Sequence, residues 1–378
     1  MWLGFVLRLL VAAWNGFFGP SFGAENDALN FHQVAVDFSQ RLEPEAFEIN
    51  FIYSYVLGVL YRVTTDALFW GSVVSCVAWL GSAHILMKIM GLLSFGKRQK
   101  CYAMLIFSLL PTSILWTSVT LREPYQLLIV NSAIYSSLRI HLNKSTTHWL
   151  WLFVAAAIGS ILHAALFGFG LFLIVWTSFW IVLRKRQLWF VVSFIVVVPL
   201  AAVLVSYGLS WFQGAYPGYG VQNGFISALE TYQRAGLSEE ARTHYKDSVT
   251  LDGMMGLLAF IPVALFQYLF EPMPGRMSAL VDVPFVLENL LRAVLIWTAL
   301  VRLRKGPPHQ RKAVLLVFVS FVVLETIWAV GTVNWGTAAR HHISSGGLLV
   351  IAAFAYSRKR SSRRTKPEVV VGGLLPAA

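Results

Sequence analysis

Three short clusters set ionisable side chains into otherwise apolar sequence. The first reads Glu25-Asn26-Asp27-Ala28-Leu29-Asn30-Phe31-His32. A carboxylate there can take a proton from a hydroxyl, and two acids with a histidine can hold a divalent cation. The same residues also read as a solvated loop whose Asn and Asp cap the next helix. The second cluster is Thr120-Leu121-Arg122-Glu123-Pro124. The planar fork of Arg122 can meet a phosphate bidentately, with Glu123 orienting it or a substrate hydroxyl. Alternatively, the two residues cap a hairpin and Pro124 starts the following helix. The third runs from Asn334 to His342 and carries Arg340, His341 and His342. Arg340 can stabilise a phosphate leaving group, or the segment can hold lipid headgroups as a basic interfacial loop. Adjacent histidines point to different faces and do not by themselves make a metal site.

Other polar residues stand inside apolar runs. Glu325 is an acid within 313–331, where an embedded carboxylate marks function by default. Glu288 and Arg292, four apart, are expected to pair along their own helix. His163 reads as a polar hinge between two runs. Tyr219, with Trp211, Phe212, Tyr216, Tyr232 and Tyr245, supplies aromatic faces that stack on sugars or form an interfacial belt.

The elements that must carry these groups are helices in a membrane. The 378 residues are 57% hydrophobic, and several apolar runs reach about 18 residues or more, enough to cross a bilayer. At that depth only helices satisfy their own backbone, and no alternating pattern suggests a barrel. The reading is all-α, with about ten spans over 2–19, 67–93, 101–120, 124–141, 148–164, 166–183, 188–208, 284–303, 313–331 and 343–357. The net charge of +12 does not point to nucleic acid, because the basic residues gather in short loops between runs. Lys97, Arg98 and Lys100, Arg139 and Lys144, Arg184 to Arg186, Arg302 to Lys312 and the tail from Arg358 all fall on one face, which makes that face cytoplasmic. Both termini are then cytoplasmic, in the inner (plasma) membrane.

Two further apolar stretches break this parity if they cross. Residues 50–64 read as a helix lying in the outer interface, and 252–270, with Pro262, as re-entrant or interfacial. Residues 1–357 thus form a single transmembrane domain, with outer segments at 20–66 and 208–283, and 358–378 form a basic, disordered tail. Arg8 within the first run leaves open a signal peptide ending near Ala24, although the bulky Trp14, Phe17 and Phe18 favour a retained helix. The two cysteines, Cys76 and Cys101, have no metal-ligand spacing.

The first third continues with two amphipathic interfacial helices, Asn30 to Leu42 and Ile49 to Thr64, joined by an acidic turn with Glu43, Pro44, Glu45 and Glu48. First span, acids, two juxtamembrane helices and a long second span resemble the start of a GT-C-type membrane glycosyltransferase. The resemblance implies a carboxylate pair in the first outer loop, at Asp27 with Glu25, acting as general base or holding a divalent metal. It implies a sugar on a polyprenyl phosphate as donor, and a glycan, lipid or protein acceptor. Arg122 with Glu123 is similar to the short element that such proteins place opposite the first loop. Arg340 with His341 resembles an Arg-His element of polysaccharide-assembly membrane proteins. His32 and Tyr219 complete the expected substrate contacts. Glu-Asn-Asp departs from the family's adjacent acids.

No P-loop, dinucleotide fingerprint, His-Glu-x-x-His or Gly-x-Ser-x-Gly occurs in the chain. A donor presented from the membrane therefore fits better than a soluble nucleotide sugar. Two alternatives stand beside the transferase: an O-antigen or exopolysaccharide polymerase, and a lipid-linked glycan transporter or flippase. Glu325 favours the transporter, and the lack of paired broken helices opposes it.

Overall fold

A computed structural model describes residues 1–20, 25–41, 48, 51–184, 224–238, 243–246 and 251–355. Fourteen α-helices follow one another along the described chain: α1 (Trp2–Phe18), α2 (Glu25–Arg41), α3 (Ile52–Val63), α4 (Leu68–Leu92), α5 (Lys97–Leu109), α6 (Pro111–Trp116), α7 (Glu123–Asn143), α8 (Thr147–Leu162), α9 (Ala164–Arg184), α10 (Phe225–Ser238), α11 (Gly253–Phe270), α12 (Val283–Lys305), α13 (Pro308–Gly331) and α14 (Trp335–Phe354). Among the described residues there is no strand, only an isolated antiparallel bridge between His244 and Asn334.

Among the described residues, four helical segments are long and apolar enough to cross a membrane: Leu68–Leu92, Gly253–Phe270, Leu280–Lys305 and Gln310–Gly331. Trp2–Phe18, Ile52–Val63, Thr147–Leu162 and Ala164–Trp180 are shorter apolar helices. The expected span at 188–208, Tyr219 and the basic tail lie outside the described residues.

α14 runs through the middle of the bundle and packs on α5, α6, α7, α12 and α13. Its buried residues include the small side chains Ala338, Ala339, Ser344, Ser345 and Gly347, which let neighbouring helices approach closely. Gly347 faces Leu86 of α4 and Asn131 of α7, and Asn131 donates to Ser82 Oγ at 2.8 Å. α1 packs on α4, α5 and α6, and its Arg8 is fully buried there. That guanidinium donates to Thr117 Oγ1, Ser113 Oγ and the Gly4 and Ser108 carbonyls at 2.7–2.9 Å, and lies 3.7 Å from the Trp79 ring centroid.

Several expectations change. The run 101–120 is two helices, because Pro111 lacks an N–H and holds Leu110 out of helical geometry. The last helix starts at Trp335 rather than 343. The Asn334 side chain caps it by accepting from Thr337 N at 2.7 Å, so the third cluster stands on helical turns and not in a loop. The first juxtamembrane helix begins at Glu25, five residues before the expected Asn30, and its acids lie in its first turn. Glu288 and Arg292 do not hydrogen-bond each other. Glu288 accepts from Thr112 N (2.9 Å) and Thr112 Oγ1, tying α12 to the freed start of α6. Arg292 Nη1 donates to the Leu269 carbonyl and Asn289 Oδ1, both at 2.6 Å.

α11 is continuous through Pro262. Both its flanks are tied to the end of α13. Leu251 just before it and Leu257 in its second turn cluster with Val330, and after it Arg276 donates to the carbonyl of Tyr245, whose own N–H bonds Val333 O.

Candidate functional site

The three sequence clusters converge at the point where α2, α7 and α14 meet. Asp27 stands in the first turn of α2 and Glu123 in the first turn of α7. Acids are favoured at both positions, because the first N–H groups of a helix lack internal partners. Arg340, in the second turn of α14, reaches both. Its Nη1 donates to Asp27 Oδ2, and its Nε is 3.7 Å from Glu123 Oε1. Burial is unequal: the Asp27 side chain is 49% exposed, Arg340 14% and Glu123 10%. Arg340 therefore joins a carboxylate that meets solvent to one that is nearly enclosed.

Arg122 stands beside this junction in a different electrostatic state. Its Nη1 donates to the Leu162 carbonyl at 3.3 Å, and its guanidinium lies 4.9 Å from the Phe31 ring centroid. No carboxylate is within ion-pair distance of it among the described residues. Its fork thus keeps donors for an anion, whereas the charge of Arg340 is already matched. Phe31 follows Asp27 by four residues and shares its helix face. Its ring meets Tyr53 edge-on at 5.4 Å, and Tyr53 meets Tyr125 at 5.3 Å. These three aromatic rings, which sequence reasoning did not single out, form a largely buried row behind Arg122. Their one legible sign is the i, i+4 spacing of Asp27 and Phe31. Tyr232 of α10 presses on Gly331 and lies within electrostatic reach of Arg340.

The remaining expected residues are placed differently. The His32 ring is held by Tyr61 of α3, with Nδ1 to Oη at 2.9 Å, so it joins α2 to α3 on another flank from Asp27. Burial moves its pKa down, against a smaller upward pull from Asp66. His341 stacks on Trp328 with centroids 3.8 Å apart, and His163 meets the same indole edge-on at 4.4 Å. His163 is therefore an aromatic wedge against α13, and His341 a packing neighbour of the site. Glu25 opens α2, but its side chain lies outside the described residues, as does all of Tyr219.

The described residues do not assemble a site for a divalent cation. Such an ion needs several oxygens at one point, Asp27 Oδ2 is taken by Arg340, and no group of three His, Cys, Asp or Glu side chains converges among the described residues.

Residues 243–246 form a strap that braces the start of α14. Trp335 N donates to the Thr243 carbonyl at 3.0 Å and Tyr245 N to Val333 O at 3.1 Å. Next in the strap, buried Lys246 donates to the Ala329 and Val330 carbonyls at the end of α13, at 3.0 and 3.4 Å. A cation suits that end of a helix, but burial pulls the Lys246 ammonium down to about 7. Burial, then the charge of Glu271, pushes the Tyr245 hydroxyl up.

No protein-family model, curated protein or solved structure matches this chain.

Proposed function

We propose that this chain is a GT-C-like membrane glycosyltransferase, moving a sugar from a polyprenyl-phosphate-linked donor to a glycan, lipid or protein acceptor on the extracytoplasmic side. The observation that carries the reading is the junction of Asp27, Arg340 and Glu123, with Arg122 unpaired by any carboxylate beside it. This is what a transfer to a hydroxyl needs: an accessible base, a group that aims it, and a separate cation for the leaving phosphate.

In this mechanism the acceptor hydroxyl oxygen attacks the anomeric carbon of the donor. The hydroxyl proton passes to Asp27, the bond from anomeric carbon to phosphate oxygen breaks, and its electron pair leaves on the phosphate. Arg122 meets that charge through its fork. Arg340 holds Asp27 in place and Glu123 balances Arg340, so that the junction keeps one net negative charge before the proton arrives. Phe31, packed on Tyr53, backs the guanidinium of Arg122.

The same proposal places the bundle across the inner (plasma) membrane as a multi-pass protein, with both termini and the basic loops cytoplasmic. Leu251 and Leu257 near the start of α11 and, through Tyr245, Arg276 beyond its end all reach the end of α13, which supports the reading of α11 as an interfacial helix and preserves that parity. Glu325, embedded in α13, is the observation that favours a lipid-linked glycan transporter instead.

The test is glycan and glycolipid profiling of a deletion strain complemented with wild type or Asp27→Asn at matched protein level. Loss of one sugar on deletion, restored by wild type alone, is the expected result. Full restoration by Asp27→Asn removes the base. An intact glycan that accumulates on the wrong side of the membrane favours the transporter.

A further inference from the structure

Behind the junction, α14 carries a second ionisable centre that the transfer reaction does not use. His342 is buried between three helices. Its Nδ1 lies 2.6 Å from Glu325 Oε2 of α13, and its Nε2 lies 3.1 Å from the Tyr268 carbonyl oxygen of α11. The other Glu325 oxygen accepts from Ser345 Oγ. A carbonyl only accepts, so Nε2 carries a hydrogen. A carboxylate oxygen and an unprotonated ring nitrogen repel at hydrogen-bond distance, so a further proton lies between Nδ1 and Oε2. The pair holds that proton at net zero charge whether it is written as imidazolium with carboxylate or as imidazole with carboxylic acid.

This proton has a route out. A cavity of about 50 Å³ adjoins the His342 side of the pair, lined by His342, Ser345, Gly346, Arg292 and Glu288 among others. One water needs about 10–15 Å³ and two or more polar partners, and this cavity offers both. Glu288 also lines a groove of about 420 Å³ on the outside of the bundle, between α5, α6 and α12. The charges that face the pair come from several helices. Arg292, with Glu288 beside it, belongs to α12, His341 to α14 itself, and the Tyr268 hydroxyl to α11. Arg8 of α1 reaches the cavity wall at Ser113.

We propose that Glu325 and His342 form a proton-binding site inside the bundle, loaded and unloaded through the water that this cavity admits. On unloading, the proton leaves on a water molecule and the pair becomes singly negative, with Arg292 as the compensating cation. The Nδ1–H bond between α13 and α14 is lost in the same step, two residues from Arg340. The centre thus couples a proton to the helix that carries the outer site, and it does not rest on the transferase reading.

The test is NMR of the full chain in lipid nanodiscs, with ¹⁵N in the histidine rings and ¹³C in the glutamate carboxyls, titrated from acid to alkaline pH. The expected result is one histidine, missing in His342→Gln, that loses its Nδ1 proton in a single step with a matching change at one carboxyl. Glu325→Gln lowers the midpoint of that step by about one pH unit or more. Gly346→Val leaves the pair intact, because a Cβ at Gly346 meets nothing within 4 Å. By filling the cavity it slows exchange of the Nδ1 proton about tenfold or more. A pair that keeps its proton at every pH, a His342 that is neutral beside an ionised Glu325 at neutral pH, or exchange unchanged in Gly346→Val overturns the proposal. None of these readouts depends on a glycan.

Discussion

Arg340 closes on Asp27 across 313 positions of sequence, and the same guanidinium stands 3.7 Å from Glu123. One cation thus ties the last described helix to the first turns of α2 and α7. The arrangement sets the task of each residue through burial. Glu123 is enclosed and holds Arg340, and Arg340 in turn presents a carboxylate that solvent reaches.

Arg340→Gln is expected to be the most damaging change at the junction. It leaves Glu123 as a nearly enclosed charge without its partner, a loss on the order of 3 kcal/mol. Asp27→Asn costs much less stability, since a half-exposed pair is screened by water, yet it removes the proposed base. Thermal unfolding in detergent, set beside glycan complementation, checks both. Equal melting losses for the two variants contradict this division of roles.

Close packing of α2 on α3 positions Asp27 from a distance. A Cβ at Gly58 would sit 2.6 Å from the Ala35 carbonyl oxygen, which is backbone and cannot swing away. Gly58→Val is therefore expected to push the two helices apart and to abolish activity with every junction residue intact. The partner change Val59→Ala, at an exposed position of α3, is expected to have little effect on either activity or melting.

Arg8→Ala is expected to loosen α1 from the break between α5 and α6. The change strands the hydroxyls and the Ser108 carbonyl that the guanidinium now satisfies, at a cost of at least about 2 kcal/mol. Arg8→Lys restores the charge without the fork and recovers only part of it. Proteolysis within the first loop, compared across the three proteins, reads the release of α1.

Lys246 makes stability depend on pH in a stated direction. Its folded pKa of about 7 lies below the 10.5 of the free side chain. Between those values the unfolded chain binds more protons than the folded one, so stability rises with pH across that window. The contribution is complete above 10.5 and is lost as pH falls through 7. Melting temperatures are expected to climb from neutral to alkaline pH in wild type and to flatten in Lys246→Met. A wild-type profile that falls over the same range contradicts the burial of this amine.

Much of the architecture was legible in the residues alone. Apolar length dictates helices wherever the backbone must bond to itself, and Pro111 and Asn334 carry the break and the cap that shorten one expected span and lengthen another. The three charged clusters were visible too, since a charge within apolar sequence is costly unless it has a task. Their meeting was not. Asp27, Glu123 and Arg340 are distant in the chain, and periodicity says which face a residue takes but not which helix stands opposite. That choice belongs to packing. Small residues along α14 let it sit at the centre of the bundle, and only there does one arginine reach two acids while the next-but-one residue, His342, turns the other way to Glu325. Burial then set the two acids apart, because water reaches the carboxylate of Asp27 and is kept from that of Glu123.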